Sequence, residues 1–255
     1  MIHNFRAQLQ SGDTLLGTMV SLASLASPAI AEILTGAGFD WLFIDGEHGS
    51  VSTGQIEAII QATKNDVPCA VRVASADAAS IQNVLDVGAS GIVAPQVNTA
   101  EQAERVVQFA RYSPQGTRGV GLARAHGYGL QFSEYIAQAN DRVAVIVQAE
   151  HVKAVENIES IVQVDGVDAV LIGPYDLSAS YGRMGQVDHP DVTGGIDHVV
   201  AACQKAGMPL GIFGLTADSL QPYIKKGFTL IIAATDALHL IGAAKSTLSE
   251  LRTGQ

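Results

Sequence analysis

The chain has 255 residues, 47% hydrophobic and 16% charged, with a net charge of −10. The length suits one α/β barrel of roughly 250 residues, and the charged fraction, low against a usual value of about 25%, points to surface buried between subunits. A duplex binder needs a basic stripe and a spanning helix needs roughly 20 apolar residues; the one positive run is Lys225-Lys226 and no apolar run is long enough, so neither nucleic acid nor membrane is expected as a partner.

An anionic substrate would therefore have to meet positive charge concentrated locally, as a metal or an Arg. Cys69 and Cys203 lack metal-ligand spacing and read as buried thiols in a reducing compartment. The segment Met1-Ile2-His3-Asn4-Phe5-Arg6 has no apolar signal core. A cytoplasmic protein is expected.

Along the chain, short apolar runs alternate with helical patterns. A strand is predicted over Leu15 to Leu22, and Ser27-Pro28 opens a helix that closes at Gly36-Ala37-Gly38. Trp41 to Asp45 is the second strand, with a helix over Gln55 to Thr63. Cys69 to Val73 is the third, followed by Ala78 to Val87. Gly91 to Val97 is the fourth, and Thr99 caps a helix over Ala100 to Arg111. A glycine-rich loop around Arg118 has the composition of an anion-binding nest, and an extra helical stretch runs from Phe132 to Gln138. Val143 to Gln148 is the fifth strand, with a helix over Val152 to Val162. Ala169 to Ile172 is the sixth, and a longer loop leads to a helix over Asp191 to Lys205. Pro209 to Phe213 and Thr229 to Ala233 are the last strands, followed by helices over Ser219 to Lys226 and Ala237 to Leu251.

Strict alternation implies parallel strands with helical crossovers. Eight such units favour closure into a (β/α)8 TIM barrel, one domain over residues 1–255. A doubly wound sheet would carry a glycine-rich dinucleotide turn after the first strand, and none is present.

Catalytic groups of such barrels gather at the C-terminal ends of the strands. Strand period puts Asp45 and Glu47 on one face of the second strand, with His48 just beyond. Arg72 shares its face with Ala70 and Ala74, which leaves a bulky cation space to reach a ligand. Gln148 and Glu150 share a face at the end of the fifth strand, and the sixth runs into Gly173-Pro174-Tyr175-Asp176. Glu150 and Asp176, from adjacent strand ends, can converge on one point, and two such oxygen ligands suit a hard cation such as Mg2+ or Mn2+. Taken singly, each residue has a plainer reading: Asp45 before Gly46 suits a turn, Arg72 a surface ion pair, Glu150 and Asp176 helix or turn caps. Their collection on one rim argues for a site. The other histidines lie in termini, helices or loops and read as structural.

The segments 38–49 (Gly-Phe-Asp-Trp-Leu-Phe-Ile-Asp-Gly-Glu-His-Gly), Arg118-Gly119-Val120-Gly121, Val147-Gln148-Ala149-Glu150 and Ile172-Gly173-Pro174-Tyr175-Asp176-Leu177-Ser178 together resemble the HpcH/HpaI aldolase family over nearly the whole chain. The resemblance implies a class II pyruvate aldolase, which cleaves a 4-hydroxy-2-oxo acid reversibly to pyruvate and an aldehyde. It implies a divalent metal (Mg2+, Mn2+ or Co2+) on Glu150 and Asp176, chelating the carboxylate and keto oxygens of pyruvate. It further implies Arg72 on the keto oxygen, Gln148 seating pyruvate with Gly173, Pro174 and Tyr175 lining the pocket, and His48 paired with Asp45 for acid–base chemistry. Glu47 is expected to support these groups without touching the metal.

This chain departs from the family at Ala233-Ala234-Thr235-Asp236, where a Gly often precedes the polar residue, and its loop after Gly121 is short beside some members. Both bear on the mouth that receives the aldehyde. A carbon–carbon bond-forming synthase using oxaloacetate on the same metal site is the alternative. A Schiff-base aldolase would need a lysine at a strand end, and Lys64, Lys153, Lys205, Lys225, Lys226 and Lys245 fall in helices or their flanks. The last helix is apolar nearly all round in its first half, Ala237 to Ala244, where a surface helix shows one stripe. The family resemblance implies a homohexamer, a trimer of dimers, with this helix exchanged with or packed on a neighbouring subunit.

Overall fold

The computed structural model describes residues 3–253 apart from 23 and 65; Met1 and Ile2, at the start of the segment read for a signal core, lie outside the described residues. Eight parallel strands close in sequence order, β1 to β8, with β8 paired back to β1. They are β1 (Leu15–Val20), β2 (Trp41–Asp45), β3 (Cys69–Arg72), β4 (Gly91–Ala94), β5 (Ala144–Ala149), β6 (Ala169–Ile172), β7 (Leu210–Gly214) and β8 (Leu230–Thr235). The expected barrel is the observed one.

The helices are α1 (Phe5–Gln10), α2 (Pro28–Gly36), α3 (Thr53–Ala62), α4 (Ala78–Asp86), α5 (Ala100–Ala110), α6 (Phe132–Arg142), α7 (Val152–Glu156), α8 (Ile158–Ile161), α9 (Pro174–Ser180), α10 (Pro190–Ala206), α11 (Ala217–Lys225) and α12 (Asp236–Thr253). Their starts follow from local chemistry. The Ser52 and Gln55 side chains form a reciprocal cap on α3; Asp77 accepts from the Ser80 N–H at 2.9 Å to open α4; proline occupies the first turn of α2, α9 and α10.

Alternation along the strands divides the core in two. Phe43, Ala70, Val93, Ile146, Leu171 and Ile232 fill the barrel, while Ile44, Val71, Ile92, Val147, Ile172 and Ile231 face the helices. The face assignments at Asp45, Arg72 and Gln148 follow this alternation. Helix α1 plugs the floor: Phe5 and Leu9 are buried in the inner core, and the Phe5 ring lies 5.6 Å from that of Trp41. Arg6 and Arg111 close the same end by converging on the buried Asp168, at 2.6 Å and 3.1 Å.

Several expectations are corrected. β1 stops at Val20 because the Ser21 and Leu22 N–H groups turn to Asp236 Oδ2, each at 3.3 Å, and leave the ladder. The helix read over Val152 to Val162 breaks at Asn157 (φ −108°, ψ 7°), whose side-chain amide donates to the carbonyls of Asn98 and Lys153. Helices α1 and α9 and a 3-10 turn over Arg124–Gly129 lie in stretches read as irregular. Arg118 is no anion nest: it is buried, bonded to Asp86 at 2.7 Å, and stacked 4.5 Å from the centre of the Tyr112 ring. No helix among the described residues is long and apolar enough to cross a membrane.

Candidate active site

The rim at the C-terminal strand ends gathers most of the residues singled out from the sequence. Asp45 and Arg72 end β2 and β3 in matched register. Both are buried and joined twice: Arg72 Nε donates to Asp45 Oδ1 at 2.9 Å and Nη2 to Oδ2 at 2.7 Å. Such a fork fixes the guanidinium plane, and the Phe43 ring supports it with its centre 5.5 Å from Cζ. Burial works against both charges, but the pairing outweighs it; Asp45 is held below its ordinary value and Arg72 above its own. Arg72 Nη1 has no hydrogen bond within the described chain and remains available to a ligand.

Asp45 Oδ1 also accepts from the backbone N–H groups of Glu47 and His48, at 3.0 Å and 3.3 Å. The expected pairing of Asp45 with the His48 ring is therefore corrected: Asp45 holds the His48 backbone, and the carboxylate nearest the ring is Glu47, 3.6 Å from Nε2. The reason is the strand period. Asp45 points into the barrel, whereas His48 lies beyond the turn with its side chain two-thirds exposed. Gly46 makes that turn possible, since a Cβ there would stand 2.7 Å from the Arg72 carbonyl oxygen.

Glu150 and Gln148 stand at the end of β5, both buried. The Gln96 N–H donates to Glu150 Oε1 at 2.9 Å, and Gln148 Nε2 donates to Oε2. Burial raises the Glu150 carboxyl to about 7 against the pull of the Gln96 N–H, and the charges of Asp176 and Glu47 push the same way. Glu47 is also raised, first by burial. Asp176 lies in the first turn of α9, close enough to feature in both shifts. Gly173 closes against this group: a Cβ on it would sit 2.9 Å from Glu150 Cβ and 3.1 Å from Oε2. Pro174 starts α9, and the exposed Tyr175 has its ring beside Gly185.

The carboxylates of Glu47, Glu150 and Asp176 thus repel one another. Gln148 Oε1 and Glu47 Oε2 are buried without a hydrogen bond, although Arg72 Nε lies 3.3 Å from the latter. Buried oxygens of this kind call for a partner, and a divalent cation between Glu150 and Asp176 fits the donor set. Among the described residues no three His, Cys, Asp or Glu side chains stand together as a metal-binding group. A cleft of about 520 Å³ opens beside Glu47, lined by Ser75, Asp77, Gln96, Gln102 and Arg105 among others.

The sequence profile of the HpcH/HpaI aldolase/citrate lyase family matches residues 19–243. The chain belongs to this family. As a member of the HpcH/HpaI family it is 39% identical over 250 residues to a 4-hydroxy-2-oxovalerate aldolase of Rhodococcus jostii (strain RHA1), covering 97% of this chain and 95% of that protein. It is 40% identical over 252 residues to a hydroxypyruvate/pyruvate aldolase of Chromohalobacter salexigens, covering 97% of each. The crystal structure of an HpcH/HpaI family protein from Burkholderia cenocepacia J2315 superposes with a TM-score of 0.92 at 34% identity, covering 98% of this chain and 99% of that one.

Two features escaped the sequence reading. Gln96 acts through a backbone N–H, which no side-chain pattern announces. Asp236 is buried and ties the segment after β1 to the start of α12, bonding Ser21 Oγ at 3.0 Å. Its position straight after a strand was the available signal.

Proposed function

We propose that this chain is a divalent-metal-dependent pyruvate aldolase that cleaves a 4-hydroxy-2-oxo acid reversibly to pyruvate and an aldehyde. The observation that carries the reading is the Arg72 guanidinium, locked by Asp45 on the same rim as Glu150, Gln148 and Asp176. Glu150 and Asp176 would hold the cation, Mg2+, Mn2+ or Co2+. When bound, it supplies positive charge opposite the carboxylate and keto oxygens of pyruvate.

The chain's own residues supply the rest. The C4 hydroxyl loses a proton, the C3–C4 bond breaks, and the electron pair passes to the pyruvate fragment as an enolate that takes a proton at C3. Arg72 aims its unspent N–H groups at the enolate oxygen, where charge develops. Gln148 holds the carboxylate end. His48, exposed at the mouth beside Glu47, takes the C4 hydroxyl proton and returns one in the reverse direction. Because the relatives named above are aldolases, aldol cleavage is preferred to a synthase reaction with oxaloacetate on the same site.

We further propose a homohexamer. The last helix leaves Leu240 62% and Leu251 66% exposed, and a neighbouring subunit is the partner that would cover them. With Cys69 and Cys203 both free and buried, a reducing, cytoplasmic setting suits the chain.

The test combines pyruvate with a panel of aldehydes, and oxaloacetate as a competitor donor, after stripping with EDTA and readdition of single metals. Adducts are read by mass spectrometry. Loss in EDTA and recovery with Mg2+, Mn2+ or Co2+ are expected, and so is loss in Glu150→Gln and Asp176→Asn. Full activity in EDTA overturns the metal reading; product from oxaloacetate alone overturns the aldolase reading.

A further inference from the structure

Four non-glycine residues among those described have positive φ: Lys64, Gln96, Tyr128 and Ala234. Side chains with a Cβ avoid this left-handed region, and such outliers cluster where a site requires them. Gln96, at φ +56°, is the one that touches the candidate active site. It follows Pro95 just past β4, and its N–H reaches across to Glu150 Oε1 at 2.9 Å. Its side chain is exposed to the cleft beside Glu47 and makes no hydrogen bond of its own. What the position contributes to Glu150 is therefore the direction of a peptide N–H.

We propose that Gln96 is a positioning residue whose left-handed backbone fixes the Glu150 carboxylate in the orientation needed to hold a cation. With Oε1 tied to the Gln96 N–H and Oε2 to the Gln148 amide, the carboxylate cannot rotate about its Cγ–Cδ bond without losing both bonds. A carboxylate fixed before the cation arrives binds it without first having to be ordered. Gln96 also couples two strands: β4 supplies the N–H and β5 the ligand, so the geometry of Glu150 depends on a peptide 54 residues away.

The inference rests on the reading of Glu150 as a metal ligand, and the experiment separates the two. Mn2+ binding to the purified, metal-stripped chain is measured by electron paramagnetic resonance of the free ion, with no substrate present. Gln96→Gly keeps the N–H and favours the left-handed backbone, and Gln96→Ala removes only the side chain; both should bind Mn2+ as the wild type does. Gln96→Val keeps the N–H, but its β-branch resists positive φ and swings the N–H off Glu150; affinity should fall by about 10-fold to 100-fold, the range for loss of a group that orients a ligand. Gln96→Thr replaces the valine variant if the latter does not fold, as judged by circular dichroism. Wild-type affinity in the β-branched variant overturns the inference, and so does an equal loss in the glycine variant. Glu150→Gln is the control: if it binds Mn2+ as tightly as wild type, or the wild type binds none, the metal reading falls and the inference with it.

Discussion

Asp45 and Arg72 stand at paired positions on β2 and β3, and Arg72 donates two hydrogen bonds to the Asp45 carboxylate, 2.9 Å and 2.7 Å long, inside the barrel rim. Removing one partner of a buried pair leaves the other charge stranded. Asp45→Asn should cost about 3 kcal/mol of stability, measured by urea unfolding near neutral pH. The carboxyl is held below its ordinary value of 3.8, so its contribution is complete above that value and is lost as pH falls through the lower folded value. The gap between wild type and Asp45→Asn should therefore narrow under acid conditions; a gap independent of pH contradicts the pairing. Arg72→Lys keeps a charge but not the fork. It should lower kcat about 100-fold, as loss of an oxyanion donor does; a rise in KM alone contradicts that role.

His48 is separated from Glu150 and Gln148 by its place beyond the strand end and by its exposure. Its proposed task is proton transfer at the C4 oxygen, not enolisation. His48→Ala should impair aldol cleavage by about 100-fold or more and leave metal-dependent exchange of the pyruvate C3 protons much less affected. Exchange is followed by proton NMR in deuterium oxide. Equal loss of both reactions ends the division of labour.

Gly173 stands where a methyl group would press on Glu150 Cβ and Oε2. Gly173→Ala should fold, because only the rim is disturbed, but should weaken Mn2+ binding or activity about 10-fold by displacing the carboxylate. An unchanged variant means that Glu150 tolerates displacement and is not held to a fixed position.

Ala234 has φ +56° at the end of β8, in the left-handed region that glycine adopts freely. An alanine there pays for that conformation. Ala234→Gly should stabilise the chain by about 1 kcal/mol, the left-handed penalty exceeding the added freedom of the unfolded chain. Urea midpoints decide it, and a destabilised variant refutes the strain.

The barrel was legible because its strands are short apolar runs with caps and prolines between them; Trp41–Asp45 and Ala169–Ile172 were read to the residue. Helix α1 was missed because six residues with two buried side chains carry too little periodicity, and α9 because Gly173-Pro174 looks like the start of a loop. At the site, strand period two was enough to put Asp45, Glu47, Arg72, Gln148 and Glu150 on one rim. It could not say which partner each would take. Asp45 meets Arg72 across strands and holds only the backbone of its sequence neighbour His48. That choice depends on barrel register, which appears only after closure.

The side chains that fill the barrel, Phe43, Val93, Ile146 and Leu171 among them, with Phe5 and Trp41 below, make the site a cul-de-sac, and a cul-de-sac imposes a sequence of departures. On the roles proposed for His48, Arg72 and Glu150, the aldehyde would lie nearer the mouth at His48 and pyruvate nearer Arg72 and Glu150, and the inner fragment would be obstructed until the outer one had gone. Aldehyde should therefore be the first product out in cleavage and the second substrate in during synthesis, with pyruvate the product that competes directly with the hydroxy-oxo acid for the free enzyme.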